Sequence, residues 1–450
     1  MTSSPQSAKA DIAFGANQLP RPPRLALFGK ARIMRAIVVL SLFTYYWVIG
    51  RMYDDVVAPK FFFGSFEANP TNEIWIQYAL LTVSALAIPT RVVKFSSMFI
   101  WLSTLLLLIP ATSLSNHQSS DPSALIMMYA GAWTVYVLAN VYPKIGLFEK
   151  LIPTHRFEIN LVALCMVSIS VLSLLAIHVG GRVSFSFLDV YDIRFDFNYS
   201  LYFPLNYLLP FAAGPLAGFI MTGALVKRNW VIGGYCMLAG LLFFGLSSHK
   251  ALMFYPLLAV AGYLIIINKS GIIYFTWGLI ALSLSTIYSS GLIEIVLGSS
   301  FANRFVFVPA QIHYFFFREF DEIGFQYWAE SRVGLGFFSS NLPIDSVNYI
   351  GKVMTGDISV GANTGWIANG YMNAGAAGIA TYAVLLSIIV YAIDVLGRRF
   401  GYAFVGGAFL VPMANLINSI DLLAGILTGG LGILFAIFFI VVRPMQVDGR

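Results

Sequence analysis

Residues 158–180 read EINLVALCMVSISVLSLLAIHVG. After Glu158 the run contains no Asp, Glu, Lys or Arg, and its length matches the roughly 20 apolar residues that cross the hydrocarbon of a bilayer. Similar runs recur along all 450 residues. Hydrophobic residues make up 58% of the chain and charged residues 11%, against about 25% charged in ordinary soluble domains. The expected fold class is therefore an all-α, polytopic integral membrane helical bundle. Its spans are expected near 33–50, 74–90, 95–112, 123–142, 158–180, 203–226, 230–248, 251–268, 272–297, 366–393, 402–422 and 424–442, about 12 transmembrane helices in one domain over 33–450.

Lys and Arg bias orients such a bundle. With the N-terminus inside, 18 of the 27 basic residues fall in the tail, at the inner end of the first span (Arg35) and in the short inner segments. Residues 1–32 then read as a basic cytoplasmic tail. The stretch from Phe14 to Leu27 is broken by prolines and has no apolar core or cleavage site of a signal peptide. Both termini face the cytoplasm in this reading, and the outer loops 181–202 and 298–365 face the periplasm. The net charge of +6 is then mostly a topological signal. A nucleic-acid partner is not expected, because that footprint needs a clustered basic face. Cys165 and Cys236 both fall in expected spans, which supports neither a disulfide framework nor a metal site. The expectation is no metal and no cofactor.

Polar chemistry must then use the outer loops or the bundle interior, and four places qualify. RMYDDVVAPK (51–60) puts Asp54 and Asp55 at the mouth of the first outer loop, where they serve as a base, a metal ligand or a solvated loop charge. GRVSFSFLDVYDIRFDFNYS (181–200) carries Arg182 and Arg194 among three aspartates, either a surface ion-pair cluster or a cationic lip for an anion. SSHK (247–250) places Lys250 at a hinge between spans, snorkelling or facing a phosphate. The fourth is FANRFVFVPAQIHYFFFREFDE (301–322), where eight aromatic rings surround two arginines. At about 100° per residue, Arg304, Gln311, Arg318 and Glu322 share one helical stripe, with Pro309 expected to bend or restart the helix. A helix apolar nearly all round is buried, and buried arginines need anions. Guanidinium binds phosphate bidentately, so the expected ligand is a lipid-anchored diphosphate. The rings, Tyr314 and Phe315 to Phe317 with Tyr327 and Trp328, are expected against its tail or sugars.

The segment RFVFVPAQIHYFFF (304–317) resembles the Arg…Pro…Tyr…Phe signature of bacterial oligosaccharide repeat-unit polymerases, the Wzy-type O-antigen polymerase family. VGLGFF (333–338) and NTGWIANGYMNAGAAGIATY (363–382) add to the resemblance, the latter being similar to a pattern shared loosely with O-antigen ligases. About 80 residues carry it. Two departures stand: ligases typically have a histidine where this chain has Asn363 or Thr364, and neither Arg182, Arg194 nor Arg304 has Gly eleven positions on.

The resemblance implies a glycosyltransferase of the bacterial inner membrane. It would move a growing glycan from undecaprenyl diphosphate to a sugar hydroxyl of another lipid-linked repeat unit at the periplasmic face, for a surface polysaccharide such as the O-antigen of lipopolysaccharide. The partners implied are those lipid-linked oligosaccharides as donor and acceptor, membrane lipids and a polysaccharide chain-length regulator. In that scheme Arg304 and Arg318 stabilise the leaving diphosphate, assisted by Lys250 and one of Arg182 or Arg194. His313 is the favoured base, with Glu322 and Asp321 behind it. Tyr314, Gln311 and Glu322 bind substrate, and Asn363, Asn369 and Tyr371 either meet sugar hydroxyls or cap and pack a span. The competing readings are an O-antigen ligase, a metal-dependent glycosyltransferase using Asp54 or Asp55, and a flippase for the same lipid-linked glycan.

Overall fold

The computed structural model describes residues 24–61, 74–115, 122–145, 157–185, 203–268, 270–331, 336–440 and 442–444. Among them, eleven helices are long and apolar enough to cross a membrane. In chain order the helices are α1 (Lys30–Lys60), α2 (Ile74–Ala87), α3 (Phe95–Ser115), α4 (Pro122–Val141), α5 (Leu161–His178), α6 (Leu205–Val226) and α7 (Trp230–Ser247). They continue with α8 (Lys250–Ile267), α9 (Gly271–Tyr288), α10 (Gly291–Ile323), α11 (Ser346–Thr355), α12 (Trp366–Phe400), α13 (Tyr402–Asn418) and α14 (Leu422–Phe439). Helices α2 and α13 are apolar but shorter than the rest, and α11 is a short amphipathic helix. The protein is a polytopic helical bundle.

Local sequence sets the ends of these helices. Asn160 and Asn229 accept from the backbone N–H of Ala163 and Ile232, both at 3.1 Å, and so cap α5 and α7. Side-chain acceptors satisfy the donors that a helix start leaves unpaired. Asp421 does the same for α14 through Leu423 and Ala424. The chain is not wholly helical: 157–159 and 442–444 form a two-stranded antiparallel ladder, with Glu158 opposite Arg443. This ladder brings the segment before α5 and the segment after α14 to one end of the bundle.

Helix α3 is buried along its whole length. Its N-terminus is met by Asp394 of α12, whose carboxylate accepts from Ser96 N at 3.1 Å. That buried carboxylate sits where the helix dipole favours negative charge, and nothing in the reading of the spans singled it out. Helices α8 and α13 approach closely because both carry glycine: a Cβ on Gly262 would stand 3.1 Å from the Gly406 carbonyl oxygen. Small residues at such crossings let backbones pack where water supplies no driving force between helices.

Two expectations about the helices need correction. The run 272–297 is not one span: α9 stops at Tyr288, and Ser289 and Ser290 break it before α10 begins at Gly291 (φ +62°). The stretch 298–323, read as a loop segment holding a helix divided at Pro309, is instead the body of a continuous 33-residue helix. Residues Gly298–Phe307 wind as a π-helix, and Pro309 stands in the first turn of the α-helical part that follows.

Helix α12 carries the opposite surprise. Ala374 (φ −157°, ψ 31°) and Gly375 (φ 59°, ψ −142°) are non-helical, so 366–373 and 376–400 are two helices meeting at a sharp break. Gly370 and Gly378 touch across it, a Cβ on Gly370 having the Gly378 carbonyl at 3.1 Å. The short half packs with α10 and α11 around a second, separate core that includes Phe316, Phe320, Ile350, Met354 and Met372. That satellite core sits beside the main one and holds α11 and the short half of α12 onto α10.

Candidate functional site

Helix α10 positions most of the residues singled out in the sequence. Its π-helical segment, Gly298–Phe307, packs on a second π-helix, Tyr53–Val57 in α1, which carries Asp54 and Asp55. The Tyr53 and Phe307 rings meet at 5.1 Å and 64°, and Gly298 lies against Val56 and Phe61. Lys60 and Glu294 form an ion pair across the same junction. The π-helix is rare, and π-bulges are frequent at functional sites. Here two of them are in contact, and both bear charge.

Arg304 is on the exposed side of that junction. Lys250, the first residue of α8, is close enough to feel the charge of Arg304. A left-handed Ser248 (φ +56°) ends α7 and turns the chain so that Lys250 starts the next helix. The extended segment after α5 lies across this hinge: Ser184 N donates to the Gly245 carbonyl at 2.8 Å, and Phe185 packs by Phe244. Arg182 is two residues before Ser184 and exposed. Arg194 lies outside the described residues.

Arg318 is elsewhere. Fourteen residues of one continuous helix separate it from Arg304, about 20 Å at 1.5 Å per residue. One diphosphate cannot bridge that gap, so the two arginines do not act as one clamp. Arg318 is exposed, donates to the neighbouring Glu319 carboxylate at 2.8 and 3.0 Å, and lies 4.7 Å over the Phe315 ring. The polar stripe is real, but it does not lie in a dry interior. Gln311 is buried, whereas Arg304, Arg318 and Glu322 are exposed.

The interior face of α10 is aromatic. Tyr314, Phe315, Phe316 and Phe317 are all buried in protein, which corrects the expectation that they face a tail or a sugar. The Tyr314 hydroxyl donates to the Ala111 carbonyl at 2.9 Å, tying α10 to α3. His313 is fully buried. Its Nδ1 lies 2.7 Å from the Pro309 carbonyl and 3.3 Å from Thr364 Oγ1. A carbonyl only accepts, so Nδ1 carries the proton and Nε2 is the bare lone pair. That Nε2 is buried and has no hydrogen-bond partner among the described residues. A base must reach the proton it removes, and an enclosed imidazole does not.

At the far end of α10 the charge is negative. Asp321 and Glu322 are exposed beside Glu319. Burial and the charges of Glu319 and Glu322 push the pKa of the Tyr349 hydroxyl up. Tyr371, buried in the short half of α12, stacks on Phe317 at 4.1 Å and donates its hydroxyl to the Asp321 carboxylate. Asn369 spends its amide on the Thr364 and Gly365 carbonyls at 2.9 and 3.1 Å, closing the start of that half-helix. Asn363 is exposed just before it. Tyr371 and Asn369 thus shape the site's support, while Asp321 is the group they present.

The break in α12 frees carbonyls, and the turn after α10 takes them. Gln326 N donates to Met372 O at 2.9 Å, Tyr327 N to Asn373 O at 3.0 Å, and Trp328 N to Asn373 Oδ1 at 2.7 Å. Tyr327 (φ +48°) and Trp328 (φ +59°) are consecutive non-glycine residues in the left-handed region. Such conformations cost on the order of 1–3 kcal/mol each and persist only where surroundings over-determine them. Here the three hydrogen bonds to 372–373 do so.

Among the described residues, no three His, Cys, Asp or Glu side chains converge to hold a metal ion. The sequence indicated Arg304, Lys250 and the acids at 54–55 separately, and the fold brings their segments to one end of the bundle. Asp394 and the left-handed pair at 327–328 left no signal in composition or spacing. Comparison with protein-family models, with curated proteins and with solved structures finds no match to this chain.

Proposed function

We propose that the protein is a glycosyltransferase acting on lipid-linked oligosaccharides, a repeat-unit polymerase of a bacterial surface polysaccharide such as the O-antigen. It works in the inner membrane, with its site toward the periplasm. The observation that carries the reading is the convergence of Arg304 and Lys250, from two distant elements, beside paired π-helices at the end of an apolar bundle. Two cations at one place raise the local positive potential, which attracts an anion. An undecaprenyl diphosphate supplies such an anion at the level of the membrane surface, with its tail in the lipid and its glycan outside.

In this reading Arg304 and Lys250 receive the charge that develops on the departing diphosphate, the kind of preorganised stabilisation that is usually the largest catalytic contribution. The anomeric carbon of the growing glycan exchanges its bond to the diphosphate for one to the acceptor hydroxyl. The acceptor's proton needs a carboxylate at the same end of α10. Asp54 and Asp55 stand on the turn packed against that of Arg304, and we assign the general base to one of them in place of His313. The sugar–diphosphate bond supplies the driving force, so no nucleotide enters. A length-regulating membrane protein is the expected partner.

The break in α12 is the observation that favours a flippase, since transporters bind cargo at interrupted helices. The freed carbonyls at 372 and 373 are taken by the chain's own 326–328 turn, which supports the enzyme instead. Cells lacking the gene, complemented with wild type or Arg304→Ala at equal membrane levels, decide the matter by their lipid-linked glycan profiles. A long ladder with wild type and single capped repeats with the variant is the expected outcome. Failure of single units to reach the outer face would assign transport, and long chains stranded on the lipid carrier would assign ligation.

A further inference from the structure

The left-handed pair at 327–328 has a consequence for what the protein presents to its surroundings. The two residues point their side chains to different tasks. Trp328 turns inward, and its Nε1 donates to the Tyr382 hydroxyl at 3.0 Å. Tyr327 turns outward, 47% exposed, with its ring 5.6 Å from that of Phe338, which is 52% exposed. Phe325 stands edge-on behind Tyr327 at 6.4 Å. The segment bearing Phe338 is fastened to the same turn, because Gln326 Oε1 accepts from Ser340 Oγ and Asn341 N at 3.0 and 3.3 Å. Strained backbone, three bonds to the broken helix and two to the Phe338 loop all serve to hold two open aromatic faces in place. Observed strain of this kind argues for a role at that spot.

We propose that Tyr327 and Phe338 form a sugar-stacking platform, a subsite for a pyranose ring of a glycan. The inference rests on the reading of the protein as a glycan-transferring enzyme for the identity of its ligand. A pyranose has an apolar C–H face that packs on an aromatic ring and a rim of hydroxyls that need acceptors. A carboxylate acceptor, Asp321, is tied to the ring behind the platform through Tyr371, whose ring lies 5.8 Å from Phe325. Asp321 and Glu322 make the surroundings acidic, which disfavours the anionic headgroups of a membrane surface and suits a neutral, hydroxylated ligand. Along α10, Asp321 is about 25 Å from Arg304. That is the distance of several sugar residues, so the platform grips the glycan well beyond the reacting bond.

The test is equilibrium binding of free repeat-unit oligosaccharide, released by mild acid from the host's own surface polysaccharide, to the full-length protein in detergent. Tyr327→Gly removes the ring and also relieves the left-handed backbone, so loss of binding by this variant is not loss of folding. We expect Tyr327→Gly and Phe338→Ala each to weaken binding about tenfold or more. Tyr327→Phe, which keeps the stacking face, should bind as wild type does. Wild-type binding by Tyr327→Gly and Phe338→Ala would overturn the platform, even if Arg304→Ala still abolishes the ladder. Loss of binding in the platform variants with an unchanged ladder in Arg304→Ala would keep the platform and overturn the reading of the reaction.

Discussion

The two ends of helix α10 are built from one continuous strip of sequence and are opposite in nearly every respect. Near its start a π-helix is locked against another π-helix, and Arg304 and Lys250 meet there with the acids Asp54, Asp55 and Glu294. The finish is regular α-helix over a satellite core, with Glu319, Asp321 and Glu322 giving it negative charge. Between them lies a face of rings buried in protein. A helix of this length separates charges that a helical wheel superimposes. The wheel reports direction around the axis and ignores the rise along it, which is how one polar stripe becomes two sites.

The sharpest way to break this division is to remove the acids that the fold places with Arg304. Asp54→Asn combined with Asp55→Asn should lower polymer synthesis by about 10²–10⁴-fold, the usual worth of a general base. His313→Gln should leave synthesis within about tenfold of wild type, because the imidazole is enclosed. Glycan ladders from membranes with matched protein levels measure both, and the reverse ranking would return the base to the middle of α10.

Next in size is the contrast between the arginines. Arg304→Ala should cost about 10²–10³-fold in turnover, as loss of a transition-state donor does. Arg318→Ala removes an exposed pair with its neighbour, typically worth under 1 kcal/mol, and should cost only a few-fold. Equal and severe losses at both positions would mean that the two ends work on the same atoms.

The remaining tests concern the acidic end's scaffold. Gly378→Ala puts a Cβ into the Gly370 carbonyl oxygen at the break in α12. A clash of this kind in a tightly packed site typically costs about 1–3 kcal/mol, and thermal unfolding in detergent should register it. Tyr371→Phe keeps the stack on Phe317 and loses the bond to Asp321. It should cost about 1–3 kcal/mol as a hydrogen bond to a charged group, with the smallest effect on the ladder. If Tyr371→Phe instead equals Arg304→Ala in severity, the acidic end takes part in the chemistry.

Hydropathy alone was enough to make the fold class legible, since the bilayer demands helices of fixed length with no charge in them. All twelve expected runs contain helix, and the errors fall where a helix neither spans nor ends as composition suggests. Ser289-Ser290-Gly291 looks no different from other small-residue positions inside spans, yet it separates α9 from α10. NAGAAG at 373–378 reads as a smooth, small-faced helix, but Gly375 turns the chain back on itself because Gly370 and Gly378 leave room for backbones to meet.

The sequence by itself determined that this chain is a polytopic helical membrane protein and which residue types are scarce enough to carry chemistry. Those follow from transfer of single side chains between water and lipid, a property that each residue has alone. Only the tertiary structure decided that Arg304 keeps company with Lys250 rather than Arg318, that His313 is sealed and that Asp321 is held by Tyr371. These depend on which helices touch, at what depth and with which backbone irregularities. Residues far apart in the chain settle such matters together, through packing that no local pattern encodes.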